Sequence, residues 1–225
     1  MPQDTAQKVA AYWNGVAGKF DTIYSGRKNP VARALDNWLR RDMFERFDWV
    51  MGMAGDVRDS RICDVGCGSG RFVAELAKRG ASRVVGVDVA PEMLRLAAEH
   101  VACTGVAEHC DFVRADIEHW VTEERFDLVI AIGFWDYIAD PRSRLAKIRR
   151  LSERRFLSAW PRAGTWRVPV RKARLSALDC PVYFYRRDTV CRLLEGAGFT
   201  IGSISEIGQL YCVDARLSGP GEQHP

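Results

Sequence analysis

Apolar positions recur along the chain at two different periods, and the change from one to the other divides it. Val9, Tyr12, Trp13, Val16 and Phe20 fall three and four residues apart within 5–24, as one face of an amphipathic helix requires. A turn is predicted at Ser25-Gly26. Leu35, Leu39, Met43, Phe47 and Val50 then resume the helical spacing over 31–53, and Gly55-Asp56 ends it. From Ser60 onward short apolar runs alternate with helical segments. Strands are predicted at Arg61–Val65, Arg83–Val87, Asp111–Arg114, Leu128–Ile132 and Phe156–Ala159. Helices are predicted at Arg71–Arg79, Pro91–Val101 and Ser143–Leu151, with proline suited to a first helical turn. Such alternation makes an α/β fold, a Rossmann-like doubly wound sheet with helices on both faces. The tail departs from the pattern: a helix over Arg187–Gly196 precedes Phe199–Glu206 and Gln209–Arg216, two strands joined at Ile207-Gly208. That hairpin brings the expected sheet to seven strands, mostly parallel with an antiparallel far edge.

Composition fits this picture. At 225 residues, 47% hydrophobic and 28% charged, the chain is one globular domain. Residues 1–56 read as a helical lid segment, 57–217 as the core with a basic and aromatic insertion at about 160–185, and 218–225 as a frayed tail. No run approaches the roughly 20 apolar residues of a membrane span, and Met1–Ala10 lacks the apolar core of a secretory signal, so a cytoplasmic protein is expected. The cysteines (63, 67, 103, 110, 180, 191, 212) include no CxxC pair and are odd in number, which points to reduced thiols and to no metal site or disulfide framework. Net charge is only +4, yet 141–192 holds 15 Lys/Arg against 3 Asp/Glu. That segment is either a solvated basic face or a surface for an anionic partner.

The strongest chemical signal is Asp64-Val65-Gly66-Cys67-Gly68-Ser69-Gly70, set between a predicted strand and a predicted helix. Glycines there allow a tight turn and leave backbone amides open to a ligand at a helix N-terminus. Asp88 ends the next strand 24 residues after Asp64, near the roughly 20-residue spacing at which an acid meets ribose hydroxyls. A nicotinamide-type loop prefers Gly-x-Gly-x-x-Gly, whereas these glycines occupy every second position, and no Gly-Lys-Ser/Thr closes a P-loop.

These residues resemble the class I S-adenosylmethionine-dependent methyltransferases. Asp64–Gly70 is similar to the first family motif, Val84–Val89 with Pro91–Leu94 to the second, Arg114–Ile117 to the third and Phe126–Ile132 to the fourth. Gly196-Ala197-Gly198-Phe199 resembles the family's last helix-strand junction. The resemblance implies S-adenosyl-L-methionine as cofactor and S-adenosyl-L-homocysteine as product. Asp64, Gly66, Cys67, Gly68 and Gly70 would surround the methionine end, Asp88 the ribose, Val89 and Met93 the adenine faces, and Asp116 with Ile117 its amino edge. Ala131 and Ile132 would lead toward the acceptor. Core packing alone also accounts for Met93 and Ile117.

Methyl transfer from an activated sulfonium needs positioning before it needs a base. Asp136, Tyr137 and His119 are the catalytic candidates. Tyr24 is expected to close over the cofactor, and Tyr12, Phe20 and Phe134 to face the substrate. In the insertion Arg162, Trp166, Arg171, Tyr183 and Tyr185 interleave flat rings with cations, which suits an anionic or aromatic small molecule. Ser158–Arg162 and Tyr183–Tyr185 distantly resemble the magnesium-protoporphyrin O-methyltransferase group. Two other functions fit parts of the sequence: an RNA methyltransferase using the basic segment, and a non-catalytic cofactor-binding regulator. Oligomeric state leaves no mark in the sequence.

Overall fold

The computed structural model describes residues 7–15 and 41–217. Residues 7–15 form helix α1. The chain continues as α2 (Arg41–Ala54), β1 (Arg61–Val65), α3 (Arg71–Lys78), β2 (Arg83–Asp88), α4 (Pro91–Cys103), β3 (Cys110–Arg114) and β4 (Phe126–Ile132). It ends with α5 (Arg142–Leu151), β5 (Ser152–Pro161), α6 (Arg167–Ser176), α7 (Arg187–Gly196), β6 (Phe199–Ile207) and β7 (Leu210–Leu217). One seven-stranded sheet runs in the order β3-β2-β1-β4-β5-β7-β6. β1 to β5 are parallel, and β7 inserts between β5 and β6 antiparallel to both. The order reverses between β1 and β4, so the crevice at the carboxyl ends of the strands opens there, where ligands of such sheets bind.

Both faces of the sheet are covered, which is why its strands read as nearly continuous apolar runs. In β4, Leu128, Ile130 and Ile132 pack with Val50 and Met51 of α2 and with Val73, Leu76 and Ala77 of α3. The alternate residues Val129 and Ala131 pack with Leu145 and Ile148 of α5 and with Val190 and Leu194 of α7. Arg155 clamps α2 to the sheet: its guanidinium makes a two-pronged pair with the buried Asp214, at 2.7 and 2.9 Å, and also donates to the Met53 carbonyl. At the top of the second core Trp135 and Trp160 stack fully buried, with centroids 4.1 Å apart.

The expected α/β architecture and closing hairpin are present, with three differences. The hairpin turn falls at Gly208-Gln209, one residue later than the apolar pattern suggested. β5 starts earlier and ends later than its apolar centre, because Ser152 and Arg155 at one end and Trp160 and Pro161 at the other sit in ladder positions. The insertion contains α6, whose inner face buries only Leu175 and whose Pro169 lies in the first turn, so it carried little helical periodicity. Of the N-terminal helices expected at 5–24 and 31–53, only 7–15 and Arg41–Ala54 fall within the described residues. The turn at Ser25-Gly26, residues Val16, Phe20, Tyr24, Leu35 and Leu39, and the tail 218–225 lie outside them.

The charge excess of 141–192 is partly consumed inside the fold. Arg144 meets Asp116 and Glu118, Arg155 meets Asp214, Arg162 meets Glu206, and Arg171 meets Asp136. No helix among the described residues is long and apolar enough to cross a membrane. Trp160→Ala should destabilise the protein by about 3–5 kcal/mol, as loss of a fully buried indole from a stacked pair does. Chemical denaturation measures this; a loss under about 1 kcal/mol would show that the stack contributes little.

Candidate active site

The site is built on the link between β1 and α3. Gly66 has φ 73°, and a Cβ there would lie 3.0 Å from the Phe134 ring, so both the turn and the close approach of that ring require glycine. The N–H groups of Gly66 and Cys67 donate to the Val87 carbonyl, at 2.8 and 3.2 Å. One residue on, the Gly68 N–H donates to Asp88 Oδ2 at 2.9 Å, while Asp88 Oδ1 accepts from the Ala90 N–H at 2.9 Å. The glycine turn and the end of β2 are thereby one hydrogen-bonded unit. Burial raises the pKa of Asp88, and these backbone donors pull it back down.

A cleft, open to solvent at its mouth, lies against this unit. Gly66, Cys67, Gly68, Asp88, Val89, Met93, Asp116, Ile117 and Ile132 line it, so most of the residues singled out by the motifs are brought together. Asp64 and Gly70 lie behind the wall. Asp64 is 1% exposed beneath the turn with Oδ2 unpartnered, and Gly70 packs against Ala97 of α4, where a Cβ would fall 2.8 Å from the Ala97 Cβ. Ala131 faces the α5 side of the sheet rather than the cleft. Burial and the neighbouring Asp88 charge push the Asp64 carboxyl up to about 8. The Cys67 thiol is driven well above its ordinary range by burial, which leaves it inert as a nucleophile.

Of the catalytic candidates, Tyr137 lines the cleft and the others do not. Burial, reinforced by the Asp136 charge, raises its phenol well above the ordinary range, so it stays protonated. Asp136 is buried and bound to Arg171 at 2.5 Å, and His119 is exposed. Phe134 lines the cleft, with Val9 and Trp13 of α1 opposite; the Trp13 and Tyr137 rings meet edge to face at 5.9 Å. Tyr12 packs beside Trp13 in the same apolar cluster without lining the cleft. The other insertion residues are elsewhere. Arg162 pairs with Glu206 on the sheet edge, Trp166 is 68% exposed, and Tyr183 pairs its N–H with the Asp136 carbonyl. The Tyr185 ring is buried against Trp160, with its hydroxyl donated to the carbonyls of Trp135 and Ile138, so this tyrosine is a core residue.

Several cleft residues carried no sequence signal. Arg46 of α2 lines the cleft over Gly133, where a Cβ would lie 3.3 Å from its Nη1, and no acidic side chain of the described residues pairs with it. Phe47 and Phe72 stack at 5.3 Å near the mouth, with the Arg71 guanidinium 4.1 Å over Phe47. Arg144 of α5 reaches Asp116 from below. Outside the cleft, Asn14 accepts from the Glu92 N–H at 3.2 Å, capping α4 from 78 residues away because the local cap position is Ala90.

Because burial raises the Asp64 pKa, its contribution to stability is full below the ordinary carboxylate range and is lost as pH rises through about 8. Asp64→Asn should therefore gain on the wild type between about pH 4 and about 8. Melting curves over that range test it, and a parallel decline of both proteins would show that Asp64 is ionised throughout.

Comparison with known proteins places this geometry. Residues 62–154 match the family model described as "Methyltransferase domain". The ubiquinone biosynthesis O-methyltransferase of Aeromonas salmonicida (strain A449) is 28% identical over 145 residues, 64% of this chain and 54% of the relative. The enzyme of the same name from Neisseria meningitidis serogroup C (strain 053442) is 30% identical over 135 residues, 60% of this chain and 50% of the relative. The chain thus spans about half the length of these curated relatives. Among solved structures, magnesium protoporphyrin IX methyltransferase from Synechocystis PCC 6803 with bound SAH superposes with TM-score 0.76 at 19% identity, covering 95% of this chain and 100% of the other. The 1,6-didemethyltoxoflavin-N1-methyltransferase of Burkholderia thailandensis superposes with TM-score 0.69 at 18% identity, covering 97% and 91%. Residues 62–154 thus match a methyltransferase domain in sequence, and the whole chain shares the fold of these solved methyltransferases.

Proposed function

We propose that the cleft binds S-adenosylmethionine and that the protein transfers its methyl group to an oxygen or nitrogen of a small anionic or aromatic molecule. The observation that carries this reading is the single wall formed by the glycine turn, Asp88, Met93 and the Asp116-Ile117 pair. The residues present fit the cofactor at each end. The unpartnered Oδ2 of Asp64 is a buried acceptor beneath the turn, suited to an ammonium. Arg46 supplies a cation for a carboxylate. Asp88, already accepting two backbone hydrogens, has lone pairs left for ribose hydroxyls, since a carboxylate offers about four acceptor sites. Met93 gives the adenine an apolar face, and Asp116 accepts from its amino edge.

When bound, the sulfonium supplies an electrophilic methyl group. The protein's own share is alignment: Phe134, Tyr137 and Trp13 wall the space beyond Ile132 and Gly133, excluding water and fixing an acceptor for in-line attack. Tyr137 remains protonated and orients rather than abstracts a proton. A carboxylate or neutral amine acceptor needs no base for this step, which favours acceptors of that kind. The relatives named for ubiquinone biosynthesis, for magnesium protoporphyrin and for didemethyltoxoflavin support a cyclic or aromatic metabolite as substrate and a biosynthetic role.

Calorimetry with S-adenosylhomocysteine tests the cofactor half. Asp88→Ala should weaken binding by about 1–3 kcal/mol through lost charge-assisted hydrogen bonds and a loosened turn. Equal affinity in wild type and variant would place the nucleoside elsewhere. Binding at neutral pH should also release a proton, because the ligand's ammonium ionises an Asp64 held at about 8. Titration in buffers of different ionisation enthalpy reads that proton directly, and its persistence in Asp64→Asn would refute the assignment.

A further inference from the structure

Arg144 projects from α5 with its side chain 2% exposed, and it reaches the cleft beside Asp116. Nη2 lies 2.6 Å from Asp116 Oδ2, and Nη1 lies 2.8 Å from Glu118 Oε2. Its Nε has no partner among the described residues, so the two carboxylates hold the guanidinium in place. The other oxygen of Asp116, Oδ1, accepts from the Glu118 N–H at 3.1 Å. Two hydrogens out of about four acceptor sites leave the 15% exposed edge of Asp116 free to accept from a ligand.

The cation has an electrostatic consequence beyond posture. Asp116 and Glu118 are like charges close enough to act on each other, and Ser143 and Arg144 are what hold Glu118 ionised. Without the guanidinium, the two like charges face each other uncompensated, and Asp116 loses the clamp that presents its open edge to the cleft. We propose that Arg144 is a positioning residue that sets the base selectivity of the cleft: by neutralising Asp116 and Glu118 together it keeps Asp116 an acceptor, which holds a 6-amino purine and refuses the 6-oxo counterpart. The inference rests on the S-adenosylmethionine reading above.

The test compares affinities for S-adenosylhomocysteine and S-inosylhomocysteine. Wild type should prefer the amino form by roughly a hundredfold, the worth of one charge-assisted hydrogen bond against an unpaired acceptor. Arg144→Met should cut that ratio at least about tenfold. Adding Glu118→Gln to Arg144→Met removes the like-charge neighbour and should restore the ratio, which a merely structural role would not do. Arg144→Lys keeps the cation and should keep the preference, and it carries the test should the methionine variant fail to fold. An unchanged ratio in Arg144→Met overturns the inference, as does a lost ratio that Glu118→Gln leaves lost or a lysine variant that stops discriminating. Wild-type protein that binds neither nucleoside defeats the S-adenosylmethionine reading itself, and this inference with it.

Discussion

Two oxygens of one carboxylate hold the centre of this protein together. Asp88 ends β2 and accepts a hydrogen from Gly68 in the turn after β1 and another from Ala90 before α4. Those bonds fix the spacing between neighbouring strand ends, and with it the width of the crevice. They also oppose the cost of burying the acid, which is otherwise large in a site of this depth. Everything facing the cleft is set relative to that span. Met93 follows from the direction in which α4 leaves it, and Phe134 seats against the turn because Gly66 has no side chain.

Sequence legibility followed the range of the interactions concerned. β1, β2 and the glycine turn were readable because their signals are local: apolar runs, a helix after a positive-φ glycine, an acid at the strand end. Arg46, Arg144 and Asn14 were not, because each acts on a residue far along the chain and sits in an ordinary amphipathic helix or at its end. Tyr185 and Arg162 misled for the same reason: interleaved aromatics and cations look like a binding surface until the fold supplies a core for the ring and a glutamate for the charge. α6 was obscured by its single buried residue, Leu175.

The basic stretch from 141 to 192 shows how charge asymmetry in a sequence can dissolve on folding. Arg144 and Arg155 cross the molecule to meet acids carried by other segments, and each spans two elements of structure. Arg155 holds α2, and with it the cation over Gly133, at a fixed height above the strand ends. A segment that looked like a surface for anions is therefore in part an internal brace. Removing either partner of such a pair leaves a buried charge uncompensated, which costs more than the intact pair contributes.

The middle of the insertion is held by Arg171 on Asp136, Lys8 on Asp179, the Tyr183 N–H on the Asp136 carbonyl, and Leu175 in a small apolar cluster. None of these fastenings touches the turn after β1 or the acid that ends β2. The molecule thus has a wall fixed by main-chain bonds between strands, and beside it an insertion held mostly by side chains. Evolution can exchange the second without retuning the first.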